Sequence, residues 1–194
     1  MLRSLYDWTM SLARTRHAER SLVGVSFAES SFFPIPPDVL LIPMVLADRR
    51  KWVRYALACT IASILGALLG YFIGAVLFEA IGRPILEFYG YMDRFEAFQD
   101  AFNTWGLLIV LVFGGLTPLP YKVITIASGV TGLSLPVFLA SSLVARGTRF
   151  FLVAWLLHRF GEPIRAFIEN NLSLLFTVFL ALLIGGFVAV RYLF

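Results

Sequence analysis

The sequence predicts an all-α polytopic membrane protein with two inverted re-entrant hairpins and about three full transmembrane helices. One observation is compositional: of 194 residues, 59% are hydrophobic and 14% charged, and the mean hydropathy is +0.84. Another is that uncharged blocks recur with a length of about 20 residues, which crosses a bilayer core. Too few polar side chains remain to cover a globule in water. This excludes soluble enzymes, secreted disulfide scaffolds and disordered proteins.

Three segments are predicted to cross the membrane. Residues 55–78 carry no charge and form the clearest span. Residues 135–157 have the right length but contain Arg146 and Arg149. Residues 170–194 form the predicted final transmembrane helix, which ends in interfacial residues.

Two further apolar segments, residues 27–47 and 107–132, cannot be straight helices because both contain prolines. Proline removes a backbone donor and clashes with the preceding turn. Broken backbone at membrane depth is tolerated only where protein or a watery cavity covers it. We therefore predict two re-entrant hairpins. The residues that break them are Pro34, Pro36, Pro37, Pro118 and Pro120.

The charge distribution predicts a cytoplasmic N-terminus. Basic residues cluster within residues 1–20 and again within residues 49–54, whereas residues 79–100 carry five acids against two arginines. Because basic segments stay in the cytoplasm, both basic clusters are predicted inside and residues 79–100 outside. Residues 1–20 are expected to form an interfacial amphipathic helix, and residues 86–105 an extracytoplasmic one.

An internal repeat relates the two broken segments. Residues 32–38 align with residues 116–122 at a constant offset of 84, and a long helix follows each. The single membrane domain then consists of repeat 1, residues 21–85, and repeat 2, residues 106–165, each a hairpin plus a span. The charge pattern gives the copies opposite orientations, an architecture typical of secondary transporters.

Five charged residues lie within apolar segments, where a charge near the bilayer centre costs at least about 2.5–3.5 kcal/mol. Asp38 and Lys122 occupy equivalent positions of the two copies, so they are predicted to pair if the hairpin tips meet. Arg146 and Arg149 are three residues apart and share a helix face, predicted to point into the bundle. The fifth is Glu29.

The functional interpretation is a water-accessible cavity at the repeat interface. Glu29 and Asp38 would carry protons or balance charge there, and the three basic side chains would attract an anionic group such as a phosphate. Two structural interpretations stay open. The charges could form a buried ion-pair network that holds the hairpins together, or the arginines could snorkel to the surface.

Other features of the sequence add smaller predictions. Gly66, Gly70 and Gly74, spaced by four, form a small face that predicts close helix packing. The single cysteine, Cys59, allows no intrachain disulfide, and no metal-ligand or cofactor motif is expected. Without a nucleophile and base pair the chain is not expected to be an enzyme. Its basic surplus is typical of membrane orientation rather than of nucleic-acid binding.

Three motifs carry a family resemblance. They are Glu29 ahead of Phe-Pro-x-Pro-x-Asp at 33–38, the series Gly66-x-x-x-Gly70-Tyr71, and Thr-Pro-Leu-Pro-Tyr-Lys at 117–122 leading to Ala-Ser-Gly at 127–129. With these motifs the chain, over roughly residues 20–165, resembles the DedA family, also called the SNARE-associated or VTT-domain membrane proteins. The likeness is greatest to its YqaA-like branch.

The resemblance implies two opposed re-entrant hairpins and movement of polyprenyl phosphate carriers or phospholipids between leaflets, coupled to a proton or sodium gradient. It also implies that Glu29 and Asp38 are the two acidic positions of the family. Better-studied members carry the pattern Arg-x-x-Pro-x-x-Arg in the second hairpin. Here Gly115 and Tyr121 hold those arginine positions, and Lys122 follows one step later.

The predicted function is therefore transport of an anionic lipid across a bacterial inner membrane, with the lipid headgroup and a proton or sodium ion as partners. One alternative is a small-solute or ion transporter built on the same inverted repeat. Another is a membrane scaffold or insertion factor that transports nothing. The sequence leaves open whether the protein is a homo-oligomer.

Overall fold

The structure is a computed structural model that describes residues 17–32, 36–115 and 121–171, together with residues 177, 178 and 181. Throughout these residues the regular elements are helices and no strand occurs, which confirms the all-α class. The predicted interfacial helix of residues 1–20 and the predicted final helix of residues 170–194 lie almost entirely outside the described residues.

The first half of the described chain contains two short helices, a long one and a further short one. Helix α1 spans Ala18–Ser31 and helix α2 spans Asp38–Ala47. A 3-10 turn, Arg49–Lys51, leads into helix α3, Trp52–Leu77. A π-helical turn, Phe78–Gly82, then continues into helix α4, Arg83–Tyr89, which ends at Gly90 in the left-handed conformation with φ 69°.

The second half contains three helices, which correspond in order to α1, α2 and α3 but differ from them in length. Helix α5 spans Met92–Gly115, helix α6 spans Tyr121–Val130 and helix α7 spans Leu135–Asn170. Helix α7 is kinked at Phe160, where φ is −122° and ψ is 27°. The kink lies three residues before Pro163, because the proline ring cannot donate a hydrogen bond and crowds the carbonyl one turn earlier.

Three helices of the described chain are long and apolar enough to cross a membrane. Arg49–Tyr89 and Leu135–Gly161 contain the predicted spans that begin at residues 55 and 135. Met92–Gly115, the third, runs continuously across residue 105, where we expected an interfacial helix to end and the second hairpin to begin. No proline interrupts these 24 residues, so the backbone hydrogen bonds continue.

The helices pack in a duplicated pattern. Helix α3 packs against α1, α6 and α7, and helix α7 also packs against α5 and α2. Helix α3 thus contacts α1 of its own predicted repeat and α6 of the other repeat. In the same way, helix α7 contacts α5 of its own repeat and α2 of the other. This is the packing that two interlocked copies would have. That the pairs α1–α2 and α5–α6 enter and leave a membrane on one side stays a prediction.

Close contacts define the directions of the helices around α3. Helices α1 and α3 run parallel, since Phe27 lies against Gly66 and Ser30 against Gly70. Helix α7 runs antiparallel to both. Trp52 at the start of α3 stacks on His158 late in α7, whereas residues nearer the middle of α3 contact earlier residues of α7.

Helix α5 runs parallel to α7. Gly106 lies against Leu133, just ahead of α7, and Gly114 lies against Ala145, one-third of the way along it. Helices α1 and α5, the first helices of the two predicted repeats, therefore point in opposite directions. An inverted repeat requires this relation.

Polar and apolar side chains are distributed as in a membrane protein. Hydroxyl side chains lie in the interior of the bundle, where they hydrogen bond across or within helices. Large apolar side chains of α3 lie on its exposed outer side. The buried hydroxyl residues include Ser30, Ser63, Thr125, Ser128 and Ser142, and the exposed apolar residues include Leu57, Ile61, Leu65, Phe72 and Val76.

Candidate functional site

Four of the five charged residues form two ion pairs, and the first pair is buried. Arg146 Nη2 on α7 donates to Glu29 Oε2 on α1 at 2.6 Å. The Arg146 and Glu29 side chains are 3% and 8% exposed, respectively. Taking two charges out of water is costly, so such a pair persists only when further hydrogen bonds satisfy both partners.

A ring of hydrogen bonds supplies those partners. Arg146 Nε donates to Ser63 Oγ at 2.8 Å, and Ser63 Oγ lies 2.7 Å from Ser30 Oγ. An arginine nitrogen can only donate, so the Ser63 hydrogen is left to bond Ser30. Ser30 Oγ in turn lies 3.3 Å from Glu29 Oε2. The four side chains thus form a closed circuit of hydrogen bonds.

Aromatic rings enclose the same guanidinium. Arg146 Cζ lies 4.7 Å from the ring centroid of Tyr121 and 4.6 Å from that of Phe150. Both aromatic residues are fully buried, and the Tyr121 hydroxyl pairs with Ser142. Cation–π contacts are strongest where the cation is desolvated, so these rings further hold Arg146 in place.

The second pair joins α2 to α7 and is more accessible. Arg149 Nη2 donates to Asp38 Oδ2 at 2.8 Å, and the two side chains are 25% and 18% exposed, respectively. The prediction that Asp38 pairs with Lys122 is therefore wrong. Helix α2 packs against α7, which brings the first residue of α2 to the arginine one turn after Arg146.

Lys122 instead contacts the broken end of α1. Its Nζ donates to the backbone oxygen of Phe32 at 3.3 Å, and its side chain is partly exposed. The carbonyls at a helix C-terminus lack partners within the helix and attract a cation. The lysine thus remains beside the second break without a carboxylate partner among the described residues.

The two breaks are joined by reciprocal contacts between α1 and α6. The backbone N–H of Tyr121, at the start of α6, donates to Glu29 Oε1 at 3.3 Å. In the other direction, Thr125 Oγ1 donates to the backbone oxygen of Ser30 at 2.9 Å. Each helix end therefore satisfies groups that the other would leave open. Glu29 is at once a partner of Arg146 and a cap of α6.

The glycine face of α3 allows these helices to come close. A Cβ atom on any of the three glycines would collide with a neighbouring helix, so only glycine fits. Gly66 lies against the carbonyl oxygen of Phe27, Gly70 against the Thr125 hydroxyl, and Gly74 against the carbonyl oxygen of Ile126. The face thus holds α1 and α6 on the same side of α3, where Glu29 meets both α6 and Arg146.

Only part of the proline set can be placed. Pro36 and Pro37 lie between α1 and α2, and the Pro37 carbonyl accepts from the backbone N–H groups of Leu40 and Leu41. The predicted breakers Pro34, Pro118 and Pro120 lie outside the described residues. Among the residues that the structure describes, no group of three or more histidine, cysteine or acidic side chains could hold a metal ion.

Four site residues were not predicted from the sequence: Ser30, Ser63, Tyr121 and Phe150 complete the surroundings of Glu29 and Arg146. A hydroxyl or an aromatic ring in an apolar segment is common, so neither stands out as a charge does. One signal was present for Ser63. It lies three residues before Gly66 and so shares the glycine face of α3.

Comparisons with known proteins give a consistent result. A family model described as the VTT domain matches residues 35–159. A protein of Haemophilus influenzae described as uncharacterized is 37% identical over 172 residues, which cover 89% of this chain and 88% of the relative. One of Histophilus somni, also described as uncharacterized, is 38% identical over 170 residues, covering 86% and 88%. No solved structure matches the chain significantly.

Proposed function

The chain belongs to the VTT-domain, or DedA, family of membrane proteins, and on this premise we propose that it moves an anionic lipid between the leaflets of a bacterial inner membrane. The N-terminus would face the cytoplasm, as the basic clusters favour. The observation that carries the proposal is the Asp38–Arg149 pair. Its side chains are partly exposed, whereas the neighbouring Glu29–Arg146 pair is buried and each of its side chains has a serine hydroxyl as a further neighbour.

Arg149 is the residue we assign to the headgroup. A guanidinium binds carboxylates and phosphates through the same planar fork, so a lipid phosphate can take the place of Asp38. Exchange requires access from outside, which the partial exposure of both side chains provides. Arg146 is unsuited to the same role because two hydrogen-bonding neighbours and two rings already surround it.

Asp38 supplies the proposed link to an ion gradient. While Asp38 is charged, it competes with a phosphate for Arg149. When Asp38 takes up a proton, or a sodium ion meets its charge, that competition ends and Arg149 binds the headgroup. Release of the ion restores the pair and displaces the lipid. Each cycle would then couple one ion to one headgroup.

Lys122 is a second cation for the headgroup. Its ammonium contacts a backbone carbonyl rather than a carboxylate, so a phosphate would not have to displace an acid from it. The headgroup would pass Arg149 and Lys122 while the acyl chains stay in the lipid. No bond is made or broken in this scheme, so we propose transport and not catalysis.

The test is a leaflet-accessibility assay on the purified protein in liposomes. One set would contain fluorescent polyprenyl phosphate and the other a fluorescent phospholipid, each with an imposed pH or sodium gradient. We expect Asp38→Asn and Arg149→Gln to abolish movement of the anionic lipid while both variants insert normally. The control is Arg83→Gln, which removes an exposed pair with Glu79 just beyond the C-terminal end of α3. This variant should move lipid as the wild type does.

The assay also separates the alternatives. Equal movement of both lipids in wild type and Asp38→Asn would contradict coupling through Asp38 and indicate a scramblase. Collapse of the pH gradient without lipid movement would favour a small-ion transporter. If the wild type moves neither lipid nor ions, or if the variants move lipid normally, the pairs hold the hairpins together and the scaffold alternative is favoured.

A further inference from the structure

An apolar groove lies on the outer surface of the bundle, between the start of α3 and the side of α7. Its volume is about 350 Å³. Leu152 and Trp155 are 52% and 45% exposed, so the groove opens outward rather than into the interior, where the Glu29–Arg146 pair lies. The residues that line it, here called the Trp52 groove, are Trp52, Thr148, Phe151, Leu152 and Trp155.

The shape and lining of the Trp52 groove suit a hydrocarbon chain. Thr148, Leu152 and Trp155 recur at helical spacing, so they form a strip about 10 Å long on one side of α7. Trp52, at the start of α3, faces this strip, and its ring meets that of Phe151, also on α7, edge to face at 6.3 Å. The Thr148 hydroxyl and the indole N–H groups of the two tryptophans are the polar side-chain groups of the lining, so a polar ligand would find few hydrogen bonds there.

A cluster of basic side chains lies at one end of the groove. The strip on α7 continues to His158, whose ring stacks on Trp52 at 5.5 Å and whose Nδ1 lies 2.9 Å from the backbone oxygen of Arg49. The Arg49 guanidinium lies against Gly161 one turn further on. Residues 48–54 carry four basic side chains and one acidic side chain. Lys51 pairs with that acid, Asp48, at 2.7 Å, and Arg54 pairs with Glu19 of α1 at 2.8 Å, so basic side chains exceed acidic ones by two.

We propose that the Trp52 groove and the basic residues of the segment 48–54 form a binding site for one anionic glycerophospholipid. An acyl chain would lie along the strip of α7, and the phosphate would contact the basic side chains at the groove end. Tryptophan rings and basic residues are the groups that meet lipid at a membrane interface. A zwitterionic lipid fits the same groove but lacks net charge to match the excess of cations. This site is separate from Arg149 and does not depend on transport.

The experiment uses the tryptophans of the groove as reporters. Trp8→Phe with Trp105→Phe leaves Trp52 and Trp155 as the remaining two of four tryptophans. The full-length protein is reconstituted with dibrominated phosphatidylglycerol or dibrominated phosphatidylcholine at equal mole fractions, and bromine quenching of tryptophan emission is measured. We expect phosphatidylglycerol to quench about twofold more effectively, because charge attraction raises its occupancy of the groove.

Two double variants distinguish a specific site from general contact with lipid. Arg50→Gln with Lys51→Gln removes two positive charges from the turn that leads into Trp52 and should abolish the preference for phosphatidylglycerol. Arg83→Gln with Arg94→Gln removes one charge at the start of α4 and one near the start of α5, beyond the C-terminal end of α3. This double variant should leave the preference unchanged. Equal quenching by the two lipids in the reporter protein would overturn the proposal, as would a preference that survives in Arg50→Gln with Lys51→Gln. Neither readout requires lipid transport.

Discussion

The two ion pairs of this membrane protein use the same chemistry in different surroundings. Arg146 and Arg149 are one turn apart on α7, and each meets a carboxylate from the first broken segment. The Glu29–Arg146 pair is closed by serines and aromatic rings, whereas the Asp38–Arg149 pair retains access to the outside. A charge that is satisfied on every side contributes to the structure, and a charge that keeps an open side can exchange its partner. We infer that the Glu29–Arg146 pair stabilises the bundle and that the Asp38–Arg149 pair exchanges its partner during transport.

The largest effect that separates the pairs is expected from Arg146→Leu. The variant leaves the Glu29 carboxylate buried without its cation, and breaking a buried pair in this way costs about 3–5 kcal/mol. The free energy of unfolding in mixed micelles should fall by that amount. The double variant Glu29→Leu with Arg146→Leu should recover much of the loss, since no buried charge remains. If Arg146→Leu alone unfolds like the wild type, the buried pair does not stabilise the bundle.

A smaller loss is expected from Ser63→Ala, which removes the acceptor of Arg146 Nε. A hydrogen bond to a charged group contributes about 1.5–3 kcal/mol, and the arginine has no replacement for it inside the bundle. Ser26→Ala is the matched control. Ser26 Oγ is buried but has no hydrogen-bond partner among the described residues, so its loss should cost little or even stabilise the protein. Equal losses in the two variants, measured by the same unfolding titration, would argue against the ring of hydrogen bonds.

The close approach of α1 to α3 can be tested with Gly66→Ala. The added methyl group would collide with the backbone oxygen of Phe27, so α1 must move and carry Glu29 away from Arg146. Overpacking of this kind costs about 1–3 kcal/mol. Gly24→Ala, on α1 with open space around its Cβ position, should instead stabilise the helix by about 0.5–1 kcal/mol. A stabilising Gly66→Ala would mean that the two helices can separate without consequence.

The sequence was sufficient to identify which residues carry the two pairs but not how they pair. A charge in an apolar segment is expensive, so Glu29, Asp38, Arg146 and Arg149 stand out without a structure. The partner of Asp38 depends on α2 packing against α7, and the repeat alone suggested Lys122 in its place.

Helix α5 shows a second limit of prediction from the sequence. Its residues change from amphipathic to apolar near residue 106, but nothing in them breaks the backbone, so a change in composition was taken for a boundary between elements.

The smallest effect on stability is expected at the accessible pair. Asp38→Asn removes one charge but keeps the shape of the side chain, and the Arg149 side chain, which loses this carboxylate, is 25% exposed. Exposed pairs contribute about 0.2–1 kcal/mol, so the free energy of unfolding should change by less than about 1 kcal/mol. Glu29→Gln is the matched variant and should lower the free energy of unfolding several times more, because Arg146 and the N–H of Tyr121 lose a charged acceptor in the interior.

If Asp38→Asn lost lipid transport at nearly wild-type stability, the loss would have to come from exchange at Arg149 rather than from unfolding. Equal destabilisation by the two variants would remove the distinction between the pairs, and Asp38 would then belong with Glu29 in holding the bundle together.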